Sequence, residues 1–224
     1  MQSAATCISV SVIPAQAGIQ VQPPIVKHLG LVDYAETYAA MRRFTETRSE
    51  GTPDEFWVLE HPPVYTIGVA GRKEHLPRDS KIPLERVDRG GQITYHGPGQ
   101  AIVYALVDLA RRRLTVRTMV TTIEQAVIDA LAVHNVIAMR KSGAPGVYVS
   151  GAKIAALGLR VRRGCCYHGV ALNVDMDLAP FSAIDPCGYP GLAVTQTSAV
   201  GAVAGTGEFG RTLAERIALL IEDK

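Results

Sequence analysis

Apolar side chains recur every three or four positions in three segments of the chain, a spacing that predicts amphipathic helices. These segments cover residues 33–48, 118–134 and 209–221. Asp33 stands where an N-cap residue is needed, and Glu36 follows three positions later, which is the capping-box pattern. The buried face of the first helix is expected to carry Tyr34, Tyr38, Met41 and Phe44.

Shorter apolar stretches between turn residues predict β-strands, two of them joined by a hairpin turn at Ser150-Gly151. Residues 69–88 are expected to form a polar connection. Residues 186–191 contain two prolines and two glycines, which is incompatible with regular structure. Because strands and helices do not alternate regularly, the expected fold class is α+β. The predicted strands are residues 56–60, 64–68, 101–109, 147–149, 153–161 and 168–174.

The composition is that of an ordinary folded domain, with 47% hydrophobic residues and a net charge of +2. The charge gives no reason to expect a nucleic-acid partner, and no apolar run is long enough to cross a membrane. Residues 1–26 carry no charged side chain. We therefore expect residues 1–24 to be a disordered extension and residues 25–224 to form a single domain. The Ala-Gln-Ala sequence at positions 15–17 mimics a signal-peptidase site, but no positive segment precedes it, so a cytoplasmic location is expected.

The four cysteines, Cys7, Cys165, Cys166 and Cys187, have the spacing of neither a zinc site nor a disulfide framework. Cys187 lies between a proline and a glycine, where it is either a nucleophile or an inert turn cysteine. A free thiol with a pKa of about 8.5 is only a few per cent thiolate at neutral pH, so a nucleophile here needs a neighbouring cation or base. The six histidines have no metal-ligand spacing, and no metal is expected.

A glycine-rich segment at residues 89–100 precedes the strand at 101–109. Its glycines allow the backbone to approach a ligand closely, and Thr94, Tyr95 and His96 can hydrogen-bond to one. The segment is not a dinucleotide fingerprint, because the glycine spacing differs and a strand rather than a helix follows. A tight loop without function fits the same residues equally well.

Basic side chains offer two further candidates. Lys153 lies in an otherwise apolar strand, where a lysine usually faces solvent. If it is partly buried instead, its pKa shifts easily and it can exchange protons with a thiol. The arginines at 111–113 and at 160, 162 and 163 are interpreted as solvated faces that could attract an acidic partner.

Six strings of residues, taken together, resemble the lipoyl/octanoyl transferase family. They occur in the family's order, and the resemblance covers roughly residues 27–200. The strings are residues 60–68 (EHPPVYTIG), 88–100 (DRGGQITYHGPGQ), 144–149 (APGVYV), 151–158 (GAKIAALG), 168–169 (HG) with 172–174 (LNV), and 186–188 (PCG).

The resemblance implies a mixed β-sheet flanked by helices, as in biotin and lipoate protein ligases. It implies that Cys187 carries an acyl thioester, that Lys153 lowers the pKa of this thiol, and that no cofactor is needed. Small side chains at Ala155, Ala156 and Ala171 are expected to leave room for an aliphatic chain. The family's substrate-contacting segments correspond here to Arg89, Gly90, Gly91, Gln92, Ile93, Thr94, Tyr95 and His96, to Ala156, Leu157 and Gly158, and to Gly169, Val170 and Ala171.

The resemblance also implies partners. The donor would be an octanoyl-acyl carrier protein, and the acceptors would be the lipoyl domains of 2-oxoacid dehydrogenase E2 subunits and the glycine cleavage H protein. No nucleic acid and no membrane is expected to take part. Two alternatives stay open at this point: an ATP-dependent lipoate- or biotin-protein ligase, and a non-catalytic module that binds acyl-carrier or lipoyl domains. Neither alternative requires both Lys153 and Cys187.

Overall fold

The computed structural model of the chain describes residues 22–72, 76–77, 81–185 and 191–222. The expected disordered extension therefore lies almost entirely outside the described residues, as do Cys7 and Cys187. Within these residues, ten strands and three α-helices follow one another. The strands are β1 (Ile25–Leu31), β2 (Glu55–Glu60), β3 (Val64–Ile67), β4 (Leu84–Arg86), β5 (Ile93–His96), β6 (Gln100–Asp108), β7 (Met139–Arg140), β8 (Val147–Val149), β9 (Ala152–Arg162) and β10 (Cys165–Asn173).

Seven of these strands form a mixed sheet in the order β1-β2-β6-β10-β9-β8-β7. The pair β1 and β2 is parallel, whereas the other neighbours in this sheet are antiparallel. The remaining strands form a small sheet in the order β4-β3-β5, in which β3 is parallel to β4 and antiparallel to β5. This architecture is the expected α+β class.

The large sheet is covered on both faces by the helices α1 (Tyr34–Thr47), α2 (Val116–Ala132) and α3 (Thr206–Glu222). Side chains of β2 and β6 alternate between two hydrophobic clusters. Phe56 and Val103 belong to the cluster under α2 and α3, while Trp57 and Ile102 belong to the cluster under α1. Because both faces are buried, these strands appear in the sequence as continuous apolar runs rather than as alternating ones.

The three predicted helices are confirmed, with small differences at their ends. Asp33 Oδ1 accepts a hydrogen bond from Glu36 N at 3.0 Å, so Asp33 is the N-cap of α1. Helix α2 begins two residues earlier than predicted because Thr115 caps it. Helix α3 begins at Thr206, three residues earlier than predicted.

Four strands of the described residues were not predicted from the sequence: β1, β4, β5 and the two-residue β7. Strand β1 is an edge strand whose side chains are almost all exposed, so it lacks the apolar pattern on which strand prediction depends. Strand β4 has only three residues and lies within the predicted polar connection. Strand β5 lies within the glycine-rich segment, which therefore contains regular structure. In the described part of the chain, none of the helices has the length and apolar character that a membrane span requires.

Asp54, just before β2, is fully buried and binds three arginine side chains. Asp54 Oδ1 lies 2.7 Å from both Arg48 Nη2 and Arg111 Nη2, and Asp54 Oδ2 lies 2.5 Å from Arg112 Nε. The interpretation of residues 111–113 as a solvated face is therefore wrong for Arg111 and Arg112. Their partner lies 57 and 58 positions away along the chain, a distance at which local sequence patterns carry no information. The side chains of Arg113, Arg160, Arg162 and Arg163 are exposed, as expected.

Replacing Asp54 by asparagine is expected to lower the free energy of unfolding at pH 7 by about 3–5 kcal/mol, because buried guanidinium groups lose their counter-charge. Burial by itself raises the pKa of Asp54. The hydrogen bonds from Asp108 N–H, Arg112 and Arg48 outweigh burial and hold that pKa below its usual value. Since the pKa is depressed in the folded state, the stabilisation is complete above about pH 4 and is lost as the pH falls through the folded-state pKa.

Urea denaturation at several pH values measures this effect. The stability difference between wild type and Asp54→Asn should be constant near neutral pH and should shrink below about pH 4. Glu215→Gln is the control, because it breaks an exposed ion pair with Arg211 and should cost less than about 1 kcal/mol. Equal stability of wild type and Asp54→Asn at pH 7 would contradict the assigned role of Asp54.

Candidate active site

A cleft with a volume of about 510 Å³ lies between β5 of the small sheet and the α1-side face of the large sheet. Its walls come from the segment before β5, from β5 itself, and from β6, β9 and β10. Of the residues that the sequence singled out as substrate contacts, those that line the cleft are Arg89, Gly91, Gln92, Ile93, Thr94, His96, Ala156, Leu157, Gly158, Gly169, Val170 and Ala171.

Two of the predicted contacts do not line the cleft. Tyr95 points to the opposite face of β5, where its ring packs against Tyr65 and Phe181 with centroid distances of 5.6 and 5.5 Å. Gly90 joins the glycine-rich segment to β9, because its N–H donates to Leu159 O at 2.9 Å. The role of either residue in substrate binding stays a prediction.

Four residues that the sequence reading did not assign to the site also line the cleft: Tyr34, Ile102, Tyr104 and His168. Tyr34 was assigned to the buried face of the first helix, and Ile102 and Tyr104 to an apolar strand. Side-chain alternation along β6 was the available signal, because Ile102 and Tyr104 share one face of that strand. The alternation does not indicate which of the two faces of the strand contacts a ligand.

Small side chains from two neighbouring strands form the floor of the cleft. Ala156 of β9 pairs with Ala171 of β10, and Gly158 pairs with Gly169 two positions further along. A side chain at Gly158 would come within 2.9 Å of Gly90 O, which explains why glycine is needed there. Ala155, in contrast, packs in the core under α2 and α3, so the expectation that it makes room for a chain in the cleft is wrong. The floor of the cleft is thus apolar, and it is lined by small side chains along the β9–β10 hairpin.

Arg89 and His96 meet on Thr66 at one wall of the cleft. Arg89 Nη2 donates to Thr66 O and to Thr66 Oγ1, each at 2.8 Å. His96 Nδ1 lies 2.8 Å from Gln100 Oε1, and His96 Nε2 lies 3.4 Å from Thr66 Oγ1. Because an amide oxygen only accepts, the ring proton of a neutral His96 is on Nδ1. The side chains of this wall are therefore connected to one another by hydrogen bonds.

This set of hydrogen bonds continues to the strand that carries Lys153. Gln100 Nε2 donates to Asn173 Oδ1 at 3.0 Å, and Asn173 Nδ2 donates to Thr195 O at 3.0 Å. Thr195 N in turn donates to Lys153 O at 2.9 Å. Buried amides that satisfy each other in this way hold their surroundings in one arrangement. These hydrogen bonds connect the cleft wall to the backbone of Lys153 and hold the two in a fixed relative position.

The histidine and tyrosine side chains of the cleft are held in their neutral forms. Burial, followed by the effect of the neighbouring His61, lowers the pKa of His96 to about 3. Burial also lowers the pKa of His168, although the hydrogen bond from this ring to Asp88 opposes the shift. Burial raises the pKa of the Tyr104 hydroxyl well above 10. Neutral rings at pH 7 suit an apolar substrate, because they need not give up the hydration of a charged group when the substrate binds; Arg89 remains the charged group of this wall and is hydrogen-bonded to Thr66.

Lys153 is buried, with 3% of its surface exposed. It therefore differs from the usual lysine of an apolar strand, which faces solvent. Its Nζ donates to Pro145 O at 3.1 Å and lies 5.3 Å from the centre of the Tyr148 ring. It stands on β9 three residues before Ala156, the first residue of that strand in the cleft. Its predicted partner, Cys187, lies outside the described residues.

The two cysteines of β10 are buried and face the protein interior. Cys165 is 5% exposed and Cys166 is fully buried. Burial raises the pKa of Cys166 to about 12 and also raises the pKa of Cys165. Both thiols are therefore protonated at neutral pH and are poor nucleophiles. Within the part of the chain that the structure covers, no group of three or more histidine, cysteine or carboxylate side chains is arranged to hold a metal ion.

The family model of the lipoyl protein ligase A/B catalytic domain matches residues 33–216 of the chain. In the fold, the bi-partite lipoate protein ligase of Thermoplasma acidophilum superposes with a TM-score of 0.69 at 17% identity, covering 88% of this chain and 84% of that one. A biotin protein ligase from Aquifex aeolicus, in complex with biotin and ATP, superposes with a TM-score of 0.56 at 14% identity, covering 89% and 71%. These structures share the fold, which confirms the predicted ligase-like architecture.

Two relatives are much more similar in sequence. The octanoyltransferase of Dechloromonas aromatica (strain RCB) is 57% identical over 202 residues, covering 90% of this chain and 98% of that protein. The octanoyltransferase of Aromatoleum aromaticum is 60% identical over 210 residues, covering 92% and 91%. The chain belongs to the lipoyl protein ligase A/B catalytic-domain family and, within it, to the octanoyltransferases.

Proposed function

We propose that the chain moves an octanoyl group from the thioester of an acyl carrier protein to a lysine amine of a lipoyl domain, and that Cys187 holds the group in between. The observation that carries this proposal is the placement of Lys153. It is buried on β9, three residues before the first cleft-lining residue of that strand, and its backbone pairs with Ala193 and Thr195, which follow Cys187 closely in sequence. A buried lysine beside this part of the chain fits a thiol-activating role.

The chemistry needs two transfers. The Cys187 thiolate attacks the carbonyl carbon of the donor thioester, the carbon–sulfur bond of the donor breaks, and the donor leaves as a thiol after taking up a proton. The acceptor amine then attacks the new thioester, and the Cys187 sulfur leaves as the amide forms. Because the first step exchanges one thioester for another, it is close to thermoneutral and needs no ATP. Once the thiolate has been consumed and Lys153 has released its own proton, its neutral amine would accept the proton that the acceptor amine releases.

The cleft accounts for selection of a medium-length aliphatic chain. Its floor of alanine and glycine leaves a narrow channel, and Ile93, Ile102 and Val170 provide apolar walls. Burying about seven methylene or methyl groups at ~0.8 kcal/mol each contributes at most about 5–6 kcal/mol of binding free energy. Each further methylene changes this by less than about 1 kcal/mol, so we expect selection between neighbouring chain lengths to be coarse.

The proposed partners are those that the family resemblance implies. We propose octanoyl-acyl carrier protein as the donor, and lipoyl domains of 2-oxoacid dehydrogenase E2 subunits and the glycine cleavage H protein as acceptors. The Thermoplasma acidophilum ligase, which shares the fold, is described together with its E2 lipoyl domain, which supports an acceptor of that kind. A reducing cytoplasm is the compartment in which Cys187 would remain a free thiol.

The proposal is tested by mixing the protein with octanoyl-acyl carrier protein in the absence of ATP and magnesium. Intact mass spectrometry should show one added octanoyl group, and peptide mapping should place it on Cys187. Addition of a lipoyl domain should then transfer the group to the domain's lysine. An ATP-dependent ligase would gain no covalent acyl group from the carrier protein and would octanoylate the lipoyl domain only from free octanoate and ATP, because it must first make an acyl-adenylate. A non-catalytic module would bind the carrier protein and gain no covalent mass, and either result would overturn the proposal.

A further inference from the structure

The ammonium group of Lys153 is held by a neighbouring segment of chain, residues 144–146, which leads into β8. Pro145 O of this segment accepts a hydrogen bond from Lys153 Nζ at 3.1 Å. On β8 itself, the Tyr148 ring lies 5.3 Å from the same nitrogen, within the range of a cation–π contact. A carbonyl oxygen and a ring face both attract a positive charge, so together they define where the ammonium sits.

Gly146 lets this segment close tightly against the lysine. Its φ is +137°, a region that L side chains rarely adopt. A Cβ at this position would lie 3.0 Å from Lys153 Cε, 3.2 Å from Nζ and 2.8 Å from Ala155 O. The path of residues 144–146 therefore determines the position of the ammonium group directly, because no free space separates the two.

The segment is in turn fixed at both ends by side chains. At one end, Tyr148 Oη donates to Ala144 O at 3.0 Å. At the other, Glu124 of α2 accepts the backbone N–H of Gly146 on Oε1 at 3.0 Å. Both side chains are buried, at 2% and 5% exposure.

Glu124 is a buried carboxylate, and burying such a group costs free energy unless it is paired and hydrogen-bonded. Its second oxygen is paired with Arg140 Nε at 3.1 Å. Arg140 also donates through Nη2 to Gln125 Oε1 at 2.8 Å, so the arginine remains anchored to α2 without Glu124. Lys141 is the other cation near this segment, and its Nζ lies 6.0 Å from the centre of the Tyr148 ring. The contact that links Glu124 to the lysine is therefore the hydrogen bond to Gly146, not the pair with Arg140.

We propose that Glu124 and Tyr148 are positioning residues for the acyl-transfer step: they fix residues 144–146, and this segment fixes the position of the Lys153 ammonium that activates the thiol. The inference rests on the proposed function, because it assumes that Lys153 acts on Cys187. It adds a link from α2 to Lys153 through Glu124, whose carboxylate binds Gly146 N–H and Arg140. Removing this link should misplace the lysine without removing it.

The test compares four variants by the pH dependence of Cys187 alkylation with iodoacetamide and by single-turnover acylation from octanoyl-acyl carrier protein. Glu124→Gln keeps an oxygen that can accept from Gly146 N–H and should stay close to wild type. Glu124→Leu loses it, and we expect the thiol pKa to rise by about one unit, with an about tenfold slower acylation at pH 7. Gln125→Leu removes the other side-chain partner of Arg140 but leaves Gly146 bound, and should behave as wild type.

Tyr148→Phe keeps the ring and removes only the hydroxyl that binds Ala144 O. We expect it to fold normally and to raise the thiol pKa by a smaller amount than Glu124→Leu, so it serves as the test if Glu124→Leu fails to fold. A wild-type alkylation profile and acylation rate in folded Glu124→Leu, or in Tyr148→Phe if only that variant folds, would overturn the inference. Failure of the proposed function is distinguishable, because wild-type protein would then gain no octanoyl group on Cys187 at all.

Discussion

Replacing Cys187 by alanine is expected to abolish the covalent octanoyl adduct and to lower transfer to the lipoyl domain by several orders of magnitude. An enzyme that loses its nucleophile loses the covalent route entirely, and what remains comes from binding the two partners together. The fold should be unaffected, because Cys187 belongs to a proline- and glycine-rich stretch of the sequence and not to an apolar run. The measurement is intact mass after mixing with octanoyl-acyl carrier protein, beside the rate of octanoyl-domain formation.

The other two cysteines of the domain provide matched controls. Burial raises the pKa of Cys165 and of Cys166, the latter to about 12, so neither thiol ionises at neutral pH. Cys165→Ala should therefore keep the adduct and the transfer rate of the wild type. Cys187→Ser provides a graded case, because its hydroxyl is a much weaker nucleophile than a thiolate and should acquire the octanoyl group only slowly. An adduct that persists in Cys187→Ala, or that maps to Cys165 or Cys166, would show that the nucleophile has been misassigned.

The second large effect is expected at Lys153. If its ammonium stabilises the Cys187 thiolate, Lys153→Ala should raise the thiol pKa towards the free value of about 8.5. Alkylation by iodoacetamide should then be slower at pH 7 and should recover as the pH rises. Loss of both the charge and the proton acceptor should reduce single-turnover transfer by a factor on the order of 10²–10⁴.

Lys153→Arg separates the two roles of this lysine. Arginine keeps the positive charge but does not act as a base, because its pKa exceeds about 12. The Arg variant should therefore still form the acyl-enzyme and then stall when the acceptor amine attacks. Accumulation of octanoylated protein that does not react with the lipoyl domain is the expected signature. A variant that is equally slow in both steps would show that charge and position, not proton transfer, are what Lys153 provides.

Lys141→Ala is the matched control for both Lys153 variants. Its ammonium also lies over the Tyr148 ring, with 6.0 Å between Nζ and the ring centre, but the residue is exposed. Its removal should leave the alkylation profile and both transfer steps unchanged. An unchanged thiol pKa in Lys153→Ala would contradict the pairing with Cys187 and would leave Lys153 with a structural or substrate-binding role.

The candidate site shows how much of the cleft lining the residue pattern could predict. Twelve of the fourteen predicted substrate contacts line the cleft, and the exceptions, Gly90 and Tyr95, are explained by local geometry. Tyr95 alternates to the far side of a strand that the glycine-rich sequence did not reveal. Glu124 was missed because it belongs to the apolar face of an amphipathic helix in which a single acidic residue gives no signal. Its function appears only when Gly146, 22 positions later, folds against it.

The sequence by itself determined the three helices, most of the strands of the large sheet, the α+β class and, through its motifs, the family and the residues expected to meet the substrate. These features depend on local periodicity, capping residues and turn residues, all of which act over a few positions. The tertiary structure alone decided that Lys153 is buried, that Arg111 and Arg112 surround Asp54, and that Glu124 and Tyr148 hold the segment against the lysine. Burial and hydrogen-bond partners at these sites are set by strands and helices that meet across long stretches of chain, and no local pattern encodes which of them will meet.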